Sequence, residues 1–410
     1  MFRNLFFEYN WGKVYTSAIQ MLSFVKRQIQ TVQPIYIPPD KQTVLFLCFP
    51  NNSSSVVISK WNGHTLRNGE YGTGGTQQSI ILMAESLVGR GYKVFVGCDT
   101  CVENTTVNGV QYVSSAFIYK LDDKVDILVI TPWVDPTIIY KWSKLKTLIY
   151  WCHTKQFGSE NVFKNFKTMY PKCKLILNTI TDFTKSFLDT SVPYYRKYFD
   201  KVVSIRNPIL NSISDNTKIP HSFIFHSSFN RGGELMYNAY KGLIFADKTL
   251  TVCSYNPYIV DDIIGCKMKS MSKYQLYNTL SSTEYYVYPG VSGADKYRLT
   301  KETDCCAVAE ALLHEVIVFA FPVGALVENF GDCVIWIPFP SNANMELIRN
   351  PEDSRNPELF SDEVVSSIQK LIYEIDSDTE RKNDIKIRGK ELILKQRNID
   401  TIVDQFISIV

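Results

Sequence analysis

From Lys41 onward, short apolar runs alternate with helical stretches, in two successive series, and this alternation constrains the fold more than any other feature. Thr43–Phe49 reads Thr-Val-Leu-Phe-Leu-Cys-Phe, without the polar alternation of a sheet that keeps one face wet. Such runs suit strands of a parallel sheet covered on both faces. Gln77–Val88 follows, with Ile80, Ile81, Leu82, Ala84, Leu87 and Val88 at helical spacing and Gly89 and Gly91 closing it. Lys93–Cys98 is apolar again. A strand, a glycine-bearing loop, a helix and a strand in that order open an α/β fold.

Asp126–Thr131, Thr147–Cys152, Lys174–Asn178 and Lys201–Ile205 continue the first series, with a helix over Thr181–Leu188, and predict five or six parallel strands. Asn207-Pro208 and the polar, unperiodic residues 209–220 break it. In the second series, strands are expected at Ser222–Phe225, Leu250–Ser254, Glu284–Tyr288, Val316–Phe321 and Val334–Ile337. Helices are expected at Glu234–Ile244, Ser272–Leu280, Cys305–His314 and Ser361–Ile375, and from about Thr379 to Ile409. The expected class is α/β, two Rossmann-like domains in tandem around a cleft. The chain divides into a helical arm (1–40), a first domain (41–208), a second (209–392) and a C-terminal helix (393–410) returning to the first. A length of 410 residues accommodates this plan. Open parallel sheets bind ligands at the carboxyl ends of their strands, so a site belongs in the cleft.

Composition narrows the partners. The 44 Lys and Arg against 41 Asp and Glu leave a net charge of +3, too little for an extended nucleic-acid footprint. The 10 cysteines are scattered, several inside apolar runs, as buried free thiols of a reducing, cytoplasmic compartment would be. The pair Cys98-Asp99-Thr100-Cys101 lacks the further ligands that zinc needs and reads as structural. Asp376-Ser377-Asp378 sits between two helices rather than at the end of a buried strand, so no metal is expected there. No run approaches the ~18 apolar residues of a membrane span. Met1–Gln30 is rich in Phe, Tyr and Trp; it packs on the protein's own flank or gives weak association with a membrane surface.

The stretch Tyr288–Glu310 carries the most chemistry. Glu302 falls in a loop just before a helix, and Glu310 lies inside that helix, about 12 Å farther along. Between them, the amides of Asp304, Cys305 and Cys306 open the helix, where unpaired N–H groups and the positive dipole end attract a phosphate. One carboxylate near each end of a bound diphosphate can hold hydroxyls on both sides, the layout of a nucleotide sugar.

The Glu-x7-Glu pair, followed by Ala311-Leu312-Leu313 and the turn Pro322-Val323-Gly324-Ala325-Leu326-Val327-Glu328, resembles glycosyltransferase family 4. The resemblance spans about residues 43–340. It implies the GT-B fold, an acceptor-side first domain and a nucleotide-sugar-binding second domain. It also implies retaining, metal-independent transfer of a sugar from a nucleotide-diphosphate donor to a hydroxyl acceptor on a glycan, lipid or protein, with no cofactor. By position, Glu310 resembles the glutamate holding the donor ribose and Glu302 the one touching the transferred sugar. Thr303, Asp304 and Cys305 resemble the diphosphate cradle, and Gly72, Gly74 and Gly75 the first-domain glycine loop. His153 resembles a histidine near the sugar, which makes Glu302, His153 and Arg231 the implied catalytic set. The family usually presents two cations after the first strand of the second domain. Here only Arg231 stands, with Ser227 in the other place; the second positive charge comes from Lys241, Lys296 or Arg298, or is missing. Asp304 stands where an aromatic is usual, and reads as a helix cap. A catalytically silent nucleotide-sugar-binding protein and a nucleotide-sugar epimerase are the alternatives.

Overall fold

The computed structural model describes residues 42–48, 62–69, 73–97, 104–113, 115–118, 121, 124–131, 143–154, 157–213, 216–253, 271–292, 298–299, 302–343 and 357–410. The N-terminal arm, Gly72, Lys296 and the Cys98–Cys101 pair lie outside them.

The first sheet contains β1 (Thr43–Leu47), β2 (Lys93–Gly97), β3 (Thr105–Val107), β4 (Val110–Val113), β5 (Ile127–Ile130), β6 (Thr147–Trp151), β7 (Lys174–Asn178) and β8 (Lys201–Val203), in the order β3-β4-β2-β1-β5-β6-β7-β8. Every pairing is parallel except β3 with β4. The sheet is thus wider than five or six strands. The stretch after β2 folds into a hairpin because Asn108 and Gly109 take positive φ values of 51° and 78°, the turn that matches strand twist. The helices between these strands are α1 (Gly63–Asn68), α2 (Gly75–Gly89), α3 (Ser115–Ile118), α4 (Glu160–Met169) and α5 (Asp182–Ser191).

Burial explains the unbroken apolar runs. Val44 and Phe46 of β1 join one core cluster with Ile80, Ile81 and Leu87 of α2. Leu45 and Leu47 join another on the opposite face, with Phe163, Phe166, Tyr195 and Phe199. Successive side chains point to opposite faces of a strand, so a strand sandwiched between two cores is apolar at every residue.

The second sheet has the order β10-β9-β11-β14-β15 and is parallel throughout. It contains β9 (Ser222–Phe225), β10 (Thr249–Val252), β11 (Tyr285–Tyr288), β14 (Ile317–Ala320) and β15 (Ile335–Trp336); β12 (Val291–Ser292) and β13 (Arg298–Leu299) form a separate antiparallel ladder. Its helices are α6 (Gly233–Gly242), α7 (Lys273–Ser282), α8 (Cys306–Leu313), α9 (Leu326–Phe330), α10 (Asp362–Ser377) and α11 (Thr379–Gln396). In the connecting segment, Lys218 Nζ donates to the carbonyls of Leu280, Thr283 and His314 at 3.0, 2.7 and 2.6 Å. These belong to the C-terminal ends of α7 and α8, where a cation is favoured. Beyond Arg397 the chain turns, Asn398 caps α12 (Ile399–Ile407), and α12 packs on α2 of the first sheet. There Phe406 stacks on Phe46, and Arg90 pairs with Asp400 and Asp404.

At the amino ends of the second sheet's strands, His221 bridges Asp247 (2.6 Å) and Asp376 (3.3 Å), while Tyr285 and Lys382 also bond Asp376. Asp378 caps α11, so both carboxylates of the D-x-D sequence have structural partners. Burial pulls the His221 imidazole down, but its hydrogen bonds to the two aspartates outweigh this and hold its pKa above the ordinary value. A raised folded-state pKa stabilises below the unfolded value, about 6.5, and the gain fades as pH rises through the folded value. The His221→Gln variant should therefore lose more melting temperature at pH 5.5 than at pH 8.5.

Cys48, Cys152, Cys173, Cys253, Cys305, Cys306 and Cys333 are free thiols. Among the described residues no helix is long and apolar enough to cross a membrane.

Candidate functional site

Two helix starts from opposite lobes meet in the cleft. Gly75 is the first residue of α2 and Cys306 the first of α8, and neither helix receives a side-chain cap. A Cβ placed on Gly75 would lie 3.3 Å from Cys306 Sγ, so glycine permits this approach. The first-turn amides of a helix have no intrahelical acceptor, and each terminus carries a positive partial charge. Cys305 enters α8 with φ of 59°, a left-handed conformation that strains a non-glycine residue.

The loop before α8 is bolted to both lobes. Thr303 Oγ1 donates to the His153 carbonyl (2.8 Å), and Thr181 Oγ1 donates to the Thr303 carbonyl (2.9 Å). Glu328 of α9 accepts from the amides of Asp182 and Phe183, the start of α5, at 3.0 and 2.7 Å. Arg206 bonds Asn329 beside it.

Glu302 is buried and accepts from Arg231 Nη1 (3.0 Å) and from the Tyr288 hydroxyl. Its own carbonyl accepts from Ala325 N in the Pro-Val-Gly-Ala turn, at 2.8 Å. The Glu302 carboxylate holds the Arg231 guanidinium above its ordinary range. The Arg231 side chain stays 44% exposed. His153, after β6, is buried against Trp151 with ring centroids 4.6 Å apart, and its Nε2 has no partner. Burial lowers its pKa to about 3, so it stands neutral at physiological pH and exchanges hydrogen bonds rather than charge.

Glu310 is 2% exposed; its Oε1 accepts from Lys273 Nζ at 2.5 Å and from the Tyr277 hydroxyl at 3.3 Å. Burial disfavours its charge, but the Lys273 ammonium outweighs that and holds its pKa below the ordinary carboxylate value. His226, after β9, donates from Nε2 to the Ala307 carbonyl (2.9 Å), which leaves Nδ1 as a buried lone pair without a partner.

Two sequence expectations fail. Asp304 does not cap α8, whose N-cap is Cys305. Its carboxylate pairs instead with the fully buried Arg397, Nη1 to Oδ2 at 2.8 Å and Nη2 to Oδ1 at 2.5 Å. An aspartate in this position is thus neutralised from the helix break rather than by local amides. Lys241 is not a second site cation: it is exposed at the C-terminal end of α6, over the Tyr237 ring. Arg397, Lys273 and Tyr277 escaped the sequence reading; each reaches the site across a long stretch of chain, with no local pattern to mark it.

No family model matches the chain, and no curated protein does. Solved structures do. A glycosyltransferase from Rickettsia africae matches over 90% of this chain and 98% of its own, with TM-score 0.61 and 14% identity. The chain has the GT-B fold. Sucrose-phosphate synthase from Thermosynechococcus elongatus covers the same shares, with TM-score 0.58 and 12% identity. HepE from Anabaena, solved in complex with UDP-glucose, gives TM-score 0.54 at 12% identity over 90% of this chain and 100% of its own. At these identities the likeness is one of fold, with two Rossmann-like lobes.

Proposed function

We propose that this chain is a retaining glycosyltransferase moving a sugar from a nucleotide-diphosphate donor to a hydroxyl acceptor. The observation that carries this reading is the meeting of two uncapped helix starts, α2 and α8, beside Arg231. Such a junction gathers unpaired backbone amides and two positive dipole ends, the groups that bind phosphate. Glu310 then accepts from the ribose hydroxyls, and Glu302 faces the transferred sugar. Thr303, Asp304 and Cys305 lend backbone amides to the phosphates, as Gly74 and Gly75 do from the other lobe. His153 hydrogen-bonds the sugar in its neutral form. The GT-B neighbours support the same class; one of them is described with UDP-glucose.

In the reaction, the bond from the anomeric carbon to the phosphate oxygen breaks and the acceptor oxygen bonds that carbon from the same face. The leaving phosphate oxygen takes the acceptor proton, so neither a side-chain nucleophile nor a metal or other cofactor enters. Arg231 and the helix amides stabilise charge gathering on the departing diphosphate.

A thermal-shift panel of nucleotide sugars, followed by an assay for nucleoside diphosphate release, tests the reading. One or more donors should raise the melting temperature by mass action and be hydrolysed slowly without acceptor. Binding without any release identifies a silent binding protein. No shift with any donor removes the proposal.

A further inference from the structure

We propose that Lys273 is a positioning residue for the donor, locking the Glu310 carboxylate in place to accept the hydroxyls of a ribonucleoside diphosphate. The inference rests on the donor-binding reading above. Lysine is seldom buried without a reason, yet Lys273 is only 5% exposed, in the first turn of α7. That turn is fixed by a capping box between Ser272 and Gln275, so the side chain leaves α7 from a set position and reaches Glu310 at 2.5 Å. Tyr277, one turn on, adds its hydroxyl to the same oxygen. A carboxylate anchored through Oε1 is held in direction, as a bidentate acceptor for neighbouring hydroxyls needs to be. Beside the pair, the buried Nδ1 lone pair of His226 has no partner, and the buried Gln78 of α2 faces Glu310 and Tyr277. Buried polar atoms without partners mark a place where a polar ligand or water completes the set.

Without Lys273, a carboxyl this deep is driven toward its neutral form, which donates where it should accept. The other groups facing Glu310 do not substitute. Tyr277 and the thiols of Cys253 and Cys306 are pushed up by burial, Cys253 to about 11, and the imidazoles of His226 and His314 are pushed down to about 4. None of them changes charge between pH 7 and 9.

The test is calorimetric titration of UDP, ADP and GDP into the full chain and into Lys273→Met, Glu310→Gln and the combined variant, with circular dichroism as the check of folding. For the nucleotide the wild type binds, K273M should bind about tenfold or more weakly at pH 7 and recover as pH rises to 9, while the wild type stays flat. In the E310Q background, K273M should add no further loss. That comparison does not need K273M alone to fold; it needs E310Q, which leaves Lys273 without its carboxylate, and the combined variant to keep the wild-type circular dichroism spectrum. Equal affinity of K273M and wild type at pH 7, or an undiminished K273M penalty on E310Q, overturns the role of Lys273 while the donor reading survives. A wild-type chain that binds none of the three nucleotides overturns both.

Discussion

Arg397→Ala is expected to lower unfolding stability by about 3–5 kcal/mol, the cost of leaving a buried partner charge uncompensated. Its guanidinium is fully buried and joins three segments: Asp304 at the mouth of α8, the Asn207 carbonyl where the chain leaves the first lobe, and the break between α11 and α12 where it returns. Removal strands the Asp304 carboxylate and frees the Asn207 carbonyl at once. The combined variant Arg397→Met with Asp304→Leu removes both charges at similar volume, and should lie near wild-type stability or slightly above it. Urea unfolding followed by circular dichroism reads both variants. Near-equal midpoints for R397A and wild type would show that the pair contributes little. The expected pattern, a severe single variant and a mild double one, means that the pair fixes how the lobes join rather than supplying net stability. The same contact explains how an aspartate is tolerated beside a site suited to an anion.

Local signals made most of the fold legible. The runs at β1, β5 and β6 could only be strands covered on both faces, and the structure gives each face its own core. Asn207-Pro208 falls between β8 of the first sheet and β9 of the second, while the segment expected to be helical from about Thr379 to Ile409 is two helices, α11 and α12, parted at Arg397. The hairpin β3–β4 carries a strong turn pair, Asn108-Gly109, but its strands of 3 and 4 residues were not anticipated. The candidate site was legible where it is contiguous. Glu302 to Glu310 and the turn after β14 identify themselves by spacing, because one loop and one helix carry them. What closes around them was not legible. Lys273 meets Glu310 across 37 residues, and Arg397 meets Asp304 across 93. A lysine in the first turn of a helix ordinarily points to water, and nothing in a single sequence turns it inward. Asp304 was read as a cap for the same reason: local chemistry offers capping as its commonest use before a helix, and the partner that overrides it is far away in the chain.

Arg231→Ala should reduce turnover of a competent donor by about 10²–10³-fold, the range for losing one preorganised group that faces developing charge. In the structure Arg231 has a foot in each role. Nη1 holds Glu302 at 3.0 Å, and the side chain is open enough to present its remaining donors to a ligand. As the sugar–phosphate bond breaks, charge collects on the diphosphate, and the guanidinium fork can follow it without releasing the carboxylate. Loss of the side chain should therefore fall mainly on kcat, with a smaller rise in KM, because the helix amides still bind the ground-state diphosphate. Stability should fall by less than in Arg397→Ala, since the Arg231 side chain is half-exposed and Tyr288 still bonds the buried Glu302 carboxylate that its loss leaves behind. Arg231→Lys keeps the charge but loses the fork, so its turnover should fall between alanine and wild type. Initial rates of nucleoside diphosphate release, with and without acceptor, separate these outcomes. Turnover of R231A within about threefold of wild type, on a donor that both proteins bind, would assign the leaving-group charge to the helix amides alone.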